Sequence, residues 1–141
     1  MSASILLIED SPTDAAILIA AFEGVGYAGN IQIAQNGLDA LAILDNIEAS
    51  GQQNWPQLIL LDLNLPRRNG LEILTDIKSN PAWLSIPTVI LSSSSSPSDI
   101  NSSYQLHANA YISKPRQLEH YEQVAERIYS FWIQTAERPR A

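Results

Sequence analysis

Apolar residues along the chain fall into short unbroken runs that alternate with stretches of helical spacing. Residues 4–8, SILLI, form the first run and end in Glu9-Asp10. A run of that length suits a central strand covered on both faces. Ser11-Pro12 then predicts a helix start, with Ser as N-cap and Pro at the first helical position. Apolar residues at 15, 18, 19 and 22 keep helical spacing until Gly24 and Gly26 stop it. IQIA (31–34) predicts a second strand, followed by a helix through Leu38, Leu41, Ala42 and Ile43, and a loop from Ser50 to Pro56. LILLDL (58–63) is a third strand, again a buried run ending in an acid. A third helix follows Gly70 through Leu71, Ile73, Leu74 and Ile77, and IPTVILS (86–92) is the fourth strand. Pro97 and Asp99 open a fourth helix near Ile100, Tyr104 and Leu106. AYIS (110–113) is a short fifth strand before Lys114-Pro115, and a last helix runs from about Gln117 to Thr135.

Five strand-helix units with short connections predict an α/β fold, a doubly wound parallel sheet with five helices on its two faces. Right-handed crossovers and five strands favour the flavodoxin-like order 2-1-3-4-5. The length of 141 residues suits one domain spanning 1–141, with a core of about 4–136 and a short C-terminal tail. The net charge of −7 argues against nucleic-acid and anionic-membrane partners, whose own charge an acidic surface repels. With no cysteine, disulfides, thiol catalysis and thiolate metal sites are excluded. The N-terminus carries no secretory pattern and no stretch reaches the length of a membrane span, so a cytoplasmic protein is expected.

In a doubly wound sheet, chemistry lies beyond the carboxyl ends of the strands, at the switch between strands 1 and 3. Strand 1 ends in Glu9 and Asp10, and neighbouring strand 3 ends in Asp62. Three carboxylates converging on one edge repel unless a proton or cation relieves them. With oxygen ligands alone, the natural cation is Mg²⁺, which uses one or two carboxylates and a phosphate and keeps several waters. Strand 4 brings Ser92 to that edge and strand 5 brings Lys114. Acids, a hydroxyl and an ammonium make a site for a transferable phosphoryl group.

Over almost its full length the chain resembles the receiver domain of bacterial two-component response regulators, through ILLIED, LILLDLNLPRRNG, VILSSS and AYISKP. The resemblance implies Asp62 as phospho-acceptor, Asp10 as direct metal ligand, Glu9 assisting through water, and the Asn64 backbone carbonyl completing the protein's share of the shell. It makes Ser92 the switch hydroxyl, Lys114 the phosphate's partner, Tyr111 the aromatic switch and the bond to Pro115 typically cis. The spacings fit: Asp62 to Ser92 is 30 positions, Ser92 to Lys114 is 22, and Tyr111 precedes Lys114 by three. Glu9 replaces the family's commoner Asp, and the hydroxyl is Ser rather than Thr. Such a domain is no conventional enzyme, though it promotes its own aspartyl phosphorylation and dephosphorylation. It would receive its phosphoryl group from a sensor histidine kinase.

A finer resemblance, through LPRRNGLEIL, IKSNPAWLSIP, NSSYQLHANAYISKP and the terminal FWI, is to small cyanobacterial receivers paired with phytochrome histidine kinases. Because the chain ends shortly after the last helix, no output module is expected and output would be a protein–protein event. Along that helix Tyr121, Val124, Ile128, Phe131 and Trp132 belong to an apolar surface wider than one packing stripe. They mark a candidate homodimer interface built with the fourth helix and fifth strand. Competing readings are a phosphorylation-independent binding module, which the intact acid set disfavours, and a flavin carrier, which the acidic turn after strand 1 disfavours. A phosphatase would need a second Asp where Asn64 stands.

Overall fold

The computed structural model describes residues 4–51 and 54–139. Residues 140–141 of the expected tail, and 52–53 of the expected loop, lie outside the described residues. Five parallel strands, β1 (Ser4–Ile8), β2 (Asn30–Ala34), β3 (Leu58–Leu61), β4 (Thr88–Ser92) and β5 (Ala110–Ser113), form one sheet in the order β2-β1-β3-β4-β5. Between them run α1 (Pro12–Gly24), α2 (Gly37–Ser50), α3 (Gly70–Ser79) and α4 (Pro97–Gln105), with α5 (Tyr121–Ile128) after the last strand. β1, β3 and β4 are buried almost end to end, which is why their sequences read as unbroken apolar runs. Alternate residues of these strands feed two cores. One holds Leu6, Ile8, Ile59, Leu61 and Ile90 with α2 and α3, and the other holds Ile5, Leu7, Leu58, Leu60 and Val89 with α1 and α5.

Helix starts follow side-chain chemistry. Ser11, Asn36 and Ser96 each accept the N–H three residues on, and Pro12 and Pro97 sit where no intrahelical N–H is needed. Asn69 and Glu72 form a reciprocal capping box that opens α3.

The last helix departs from a single span over 117–135. A 3₁₀ turn at Leu118–His120 leads into α5, and Tyr129–Ile133 continues as a π-helical segment closed by Gln134 N–H to the Tyr129 carbonyl at 3.0 Å. The wider winding changes which way the side chains after Ile128 point.

Lys78, at the end of α3, is a buried-side feature of the sheet's far end. Its ammonium donates to the carbonyls of Leu84 at 2.9 Å and Ile86 at 3.0 Å and to Asn109 Oδ1 at 3.1 Å. Burial pushes it down to about 8. Lys78→Met should cost about 1–3 kcal/mol, because carbonyls lose a charged donor. The folded-state value lies below the ordinary 10.5, so the unfolded chain binds the extra proton between about 8 and 10.5. The wild type should therefore gain stability relative to Lys78→Met as pH rises through that window, as read by urea unfolding on its two sides.

Candidate functional site

The ladder continues one residue past the strands and fixes the charged groups. Glu9 N–H donates to the Ala34 carbonyl at 2.9 Å, Asp62 N–H to Ile8 at 3.0 Å, and Lys114 N–H to Ser92 at 2.7 Å. The ends of β1, β3, β4 and β5 thus place Glu9, Asp62, Ser92 and Lys114 at one pole. Glu9 and Asp62 are buried, Asp10 is exposed at the rim, and one carboxylate oxygen from each lies within 4.8 Å of the others.

Lys114 binds this pole together. Its ammonium donates to Glu9 Oε1 at 2.5 Å, Asp14 Oδ2 at 2.9 Å and Asp62 Oδ2 at 3.0 Å. An ammonium has three donors, so all are used on carboxylates. Burial opposes its charge, but the hydrogen bonds to Glu9, Asp14 and Asp62 outweigh this and hold its pKa above the ordinary lysine value. Burial also pushes the Glu9 carboxyl up to about 7; the Lys114 hydrogen bond and the Ser11 N–H oppose that rise, and the Asp62 charge adds to it. Asp62 Oδ1 accepts the Asn64 N–H at 3.2 Å, which pins the start of the β3–α3 loop to the acid.

The donor set fits a hard divalent cation. All three clustered ligands are carboxylates, one is exposed to solvent, and the one ammonium beside them is shared among Glu9, Asp14 and Asp62 without a contact to Asp10, leaving negative charge for a cation to offset.

Ser92 is wholly buried, and its Oγ accepts the Ser94 N–H at 3.3 Å. The Tyr111 ring is half-buried against the core, with its hydroxyl donating to the Ser94 carbonyl at 2.7 Å. Ser94 Oγ in turn meets Asp99 Oδ2 at 2.5 Å, in the first turn of α4. Ser92 and Tyr111 therefore share one residue of the β4–α4 loop. Across the sheet edge, Tyr104 Oη of α4 accepts the Tyr111 N–H at 3.1 Å.

Two expectations need correction. The bond to Pro115 is trans, since no cis peptide occurs among the described residues. Trans is the lower-energy isomer unless packing over-rules it. Tyr121 and Ile128 do not contribute to an outward surface; they are 8% and 1% exposed and pack on Ala15, Leu18 and Phe22 of α1. Val124 and Trp132 are half-buried against that same core, and Phe131 alone of the five is largely exposed, at 52%. Asp14, by contrast, is a site residue that strand-end reading missed. Its position in the first turn of α1, three residues after the Ser11 cap, is the ordinary place for an acid at a helix N-terminus.

A doubly wound sheet with an acid cluster and a fixed lysine at its switch point defines a phosphoryl-handling regulator class. The chain belongs to the response regulator receiver domain family, which it matches over residues 5–126. It is 38% identical over 137 residues to response regulator Rcp1 of Synechocystis sp., covering 97% of this chain and 93% of that protein. The Mn²⁺-bound form of Rcp1 superposes with a TM-score of 0.86 at 38% identity, over 98% of this chain and 99% of the other. The phosphorylated cyanobacterial phytochrome response regulator RcpA superposes with a TM-score of 0.87 at 36% identity, over 99% and 100%.

Proposed function

We propose that this chain accepts a phosphoryl group from a phosphohistidine of a sensor kinase onto Asp62, with Mg²⁺, and thereby switches a protein-interaction face. The observation that carries this reading is Asp62 Oδ2 held 3.0 Å from the buried Lys114 ammonium, beside the Glu9–Asp10–Asp62 oxygen cluster. A carboxylate oxygen of Asp62 attacks phosphorus, the phosphorus–nitrogen bond breaks, and its electron pair leaves on the imidazole nitrogen. Lys114 then transfers its Asp62 hydrogen bond to a phosphoryl oxygen. A divalent cation held by Glu9, Asp10, Asp62 and the Asn64 carbonyl would supply positive charge against the phosphoryl oxygens. Ser92 Oγ turns toward the phosphoryl group and gives up the Ser94 N–H. Tyr111 then loses its present geometry at Ser94, which carries the change to α4 and β5.

The phytochrome association of RcpA supports a phytochrome histidine kinase as the donor. Phosphotransfer from a cyanobacterial phytochrome kinase should outpace transfer from an unrelated histidine kinase. Equal rates would sink that partner assignment while leaving the acceptor chemistry intact.

A homodimer through α4, β5 and the end of the last helix remains part of this reading, now centred on Phe131, which meets Trp132 edge-on at 4.9 Å. Phe131→Ala should shift the protein toward monomer in sedimentation velocity by about 2 kcal/mol of association energy or more. Acetyl-phosphate labelling of Asp62 should be unchanged. An unaltered sedimentation profile would remove Phe131 from the interface.

A further inference from the structure

Of the three carboxylates that hold Lys114, two have other tasks when the phosphoryl group arrives. Glu9 and Asp62 belong to the oxygen cluster that suits a cation, and Asp62 becomes the phosphorylated group. Asp14 has neither task. Its Oδ2 lies 2.9 Å from Lys114 Nζ, reached across 100 residues of sequence. Its own backbone is fixed independently, because Asp14 N–H donates to Ser11 Oγ at 3.2 Å within the capped first turn of α1. The lysine side chain is 7% exposed, so it has no bulk water to replace a missing acceptor, while Asp14 is 38% exposed at the rim.

We propose that Asp14 is a positioning residue for phosphoryl transfer, a tether on α1 that keeps the Lys114 ammonium over the acceptor while its other two hydrogen bonds are exchanged. The inference rests on the assignment of Asp62 as acceptor. Each of the three ammonium donors has one role during transfer. The bond to Asp62 passes to a phosphoryl oxygen, the bond to Glu9 weakens as that carboxylate turns to the cation, and the bond to Asp14 persists. Without the third bond, a long flexible side chain must be ordered in the transition state by the phosphoryl group alone. Asp14 also ties the residue that follows β5 to the first turn of α1.

The test is the rate of Asp62 labelling by acetyl phosphate at saturating Mg²⁺, followed by intact mass, beside Mg²⁺ affinity by calorimetry. Asp14→Ala and Asp14→Asn should slow labelling about tenfold, the scale of one charge-assisted hydrogen bond. Mg²⁺ affinity should change less than twofold, and Asp14→Glu should recover most of the rate. In a Lys114→Ala background, Asp14→Ala should have no further effect, which a merely structural role for Asp14 would not produce. Labelling of both Asp14→Ala and Asp14→Asn within twofold of wild type would overturn the tether, as would the same tenfold loss without Lys114. Absence of labelling on the wild-type protein would instead overturn the acceptor assignment beneath it.

Discussion

Asp62→Asn should abolish labelling by acetyl phosphate and Mg²⁺ while leaving the fold intact. The wild-type protein should gain a single phosphoryl group by intact mass and the variant none. The asymmetry follows from the chemistry of one atom. A carboxylate oxygen is a usable nucleophile toward phosphorus, and a carboxamide oxygen carries no formal charge to give. Asparagine keeps the shape but has one oxygen where aspartate has two, so of the Asn64 N–H, 3.2 Å from Asp62 Oδ1, and the Lys114 ammonium, 3.0 Å from Oδ2, only one keeps its acceptor. Lys114 also retains Glu9 and Asp14. Removing one of several like charges at the pole eases their repulsion, so thermal stability should hold or rise. Mg²⁺ binding should weaken, because one of the three clustered carboxylates becomes neutral. Labelling of the variant at the wild-type rate would place the acceptor elsewhere. No labelling of either protein, with no Mg²⁺ binding, would favour a receiver fold acting only as a binding module.

The sheet was legible because its central strands are buried on both faces, and a continuous run such as LILL has few other readings. The pole was legible because parallel strands all end at the same edge, so Glu9, Asp62, Ser92 and Lys114 are brought together by topology alone. What pattern could not reach was direction. Tyr121 and Ile128 lie in the same apolar stretch as Phe131, yet they fill the space above α1 while Phe131 faces out, and the π winding after Ile128 is what separates them. Apolar spacing counts residues and does not say which neighbour will cover them. Asp14 stayed hidden for a related reason. A first-turn acid already has a local explanation in the helix dipole, and its partnership with Lys114 exists only after the last crossover brings the end of β5 to the pole where α1 begins.

Gly70→Ala should have a large effect for a reason that lies wholly in the backbone. Gly70 opens α3 and donates its N–H to the Leu63 carbonyl at 2.9 Å, closing the loop that follows Asp62. A Cβ at this position would stand 2.4 Å from the Asp62 carbonyl oxygen and 2.5 Å from Leu63 Cα. Neither atom belongs to a side chain that could swing aside. Either the first turn of α3 lifts away from the sheet or the end of β3 shifts, and both options disturb a layer in which Ile73, Leu74 and Ile77 are fully buried. Overpacking of this kind costs about 1–3 kcal/mol or more, and here it falls on main chain with no rotamer to absorb it. Urea unfolding should show a loss of at least about 2 kcal/mol. The second consequence is functional, since the displaced atoms are those of Asp62 itself. The surviving folded protein should label with acetyl phosphate at least about tenfold more slowly, as an acceptor out of line with Lys114 loses its orientation. A variant as stable as wild type that labels equally fast would show that the contact between α3 and the end of β3 has slack that the present packing does not reveal. A stable but slowly labelling variant would show that α3 yields in packing while the acceptor still loses its alignment.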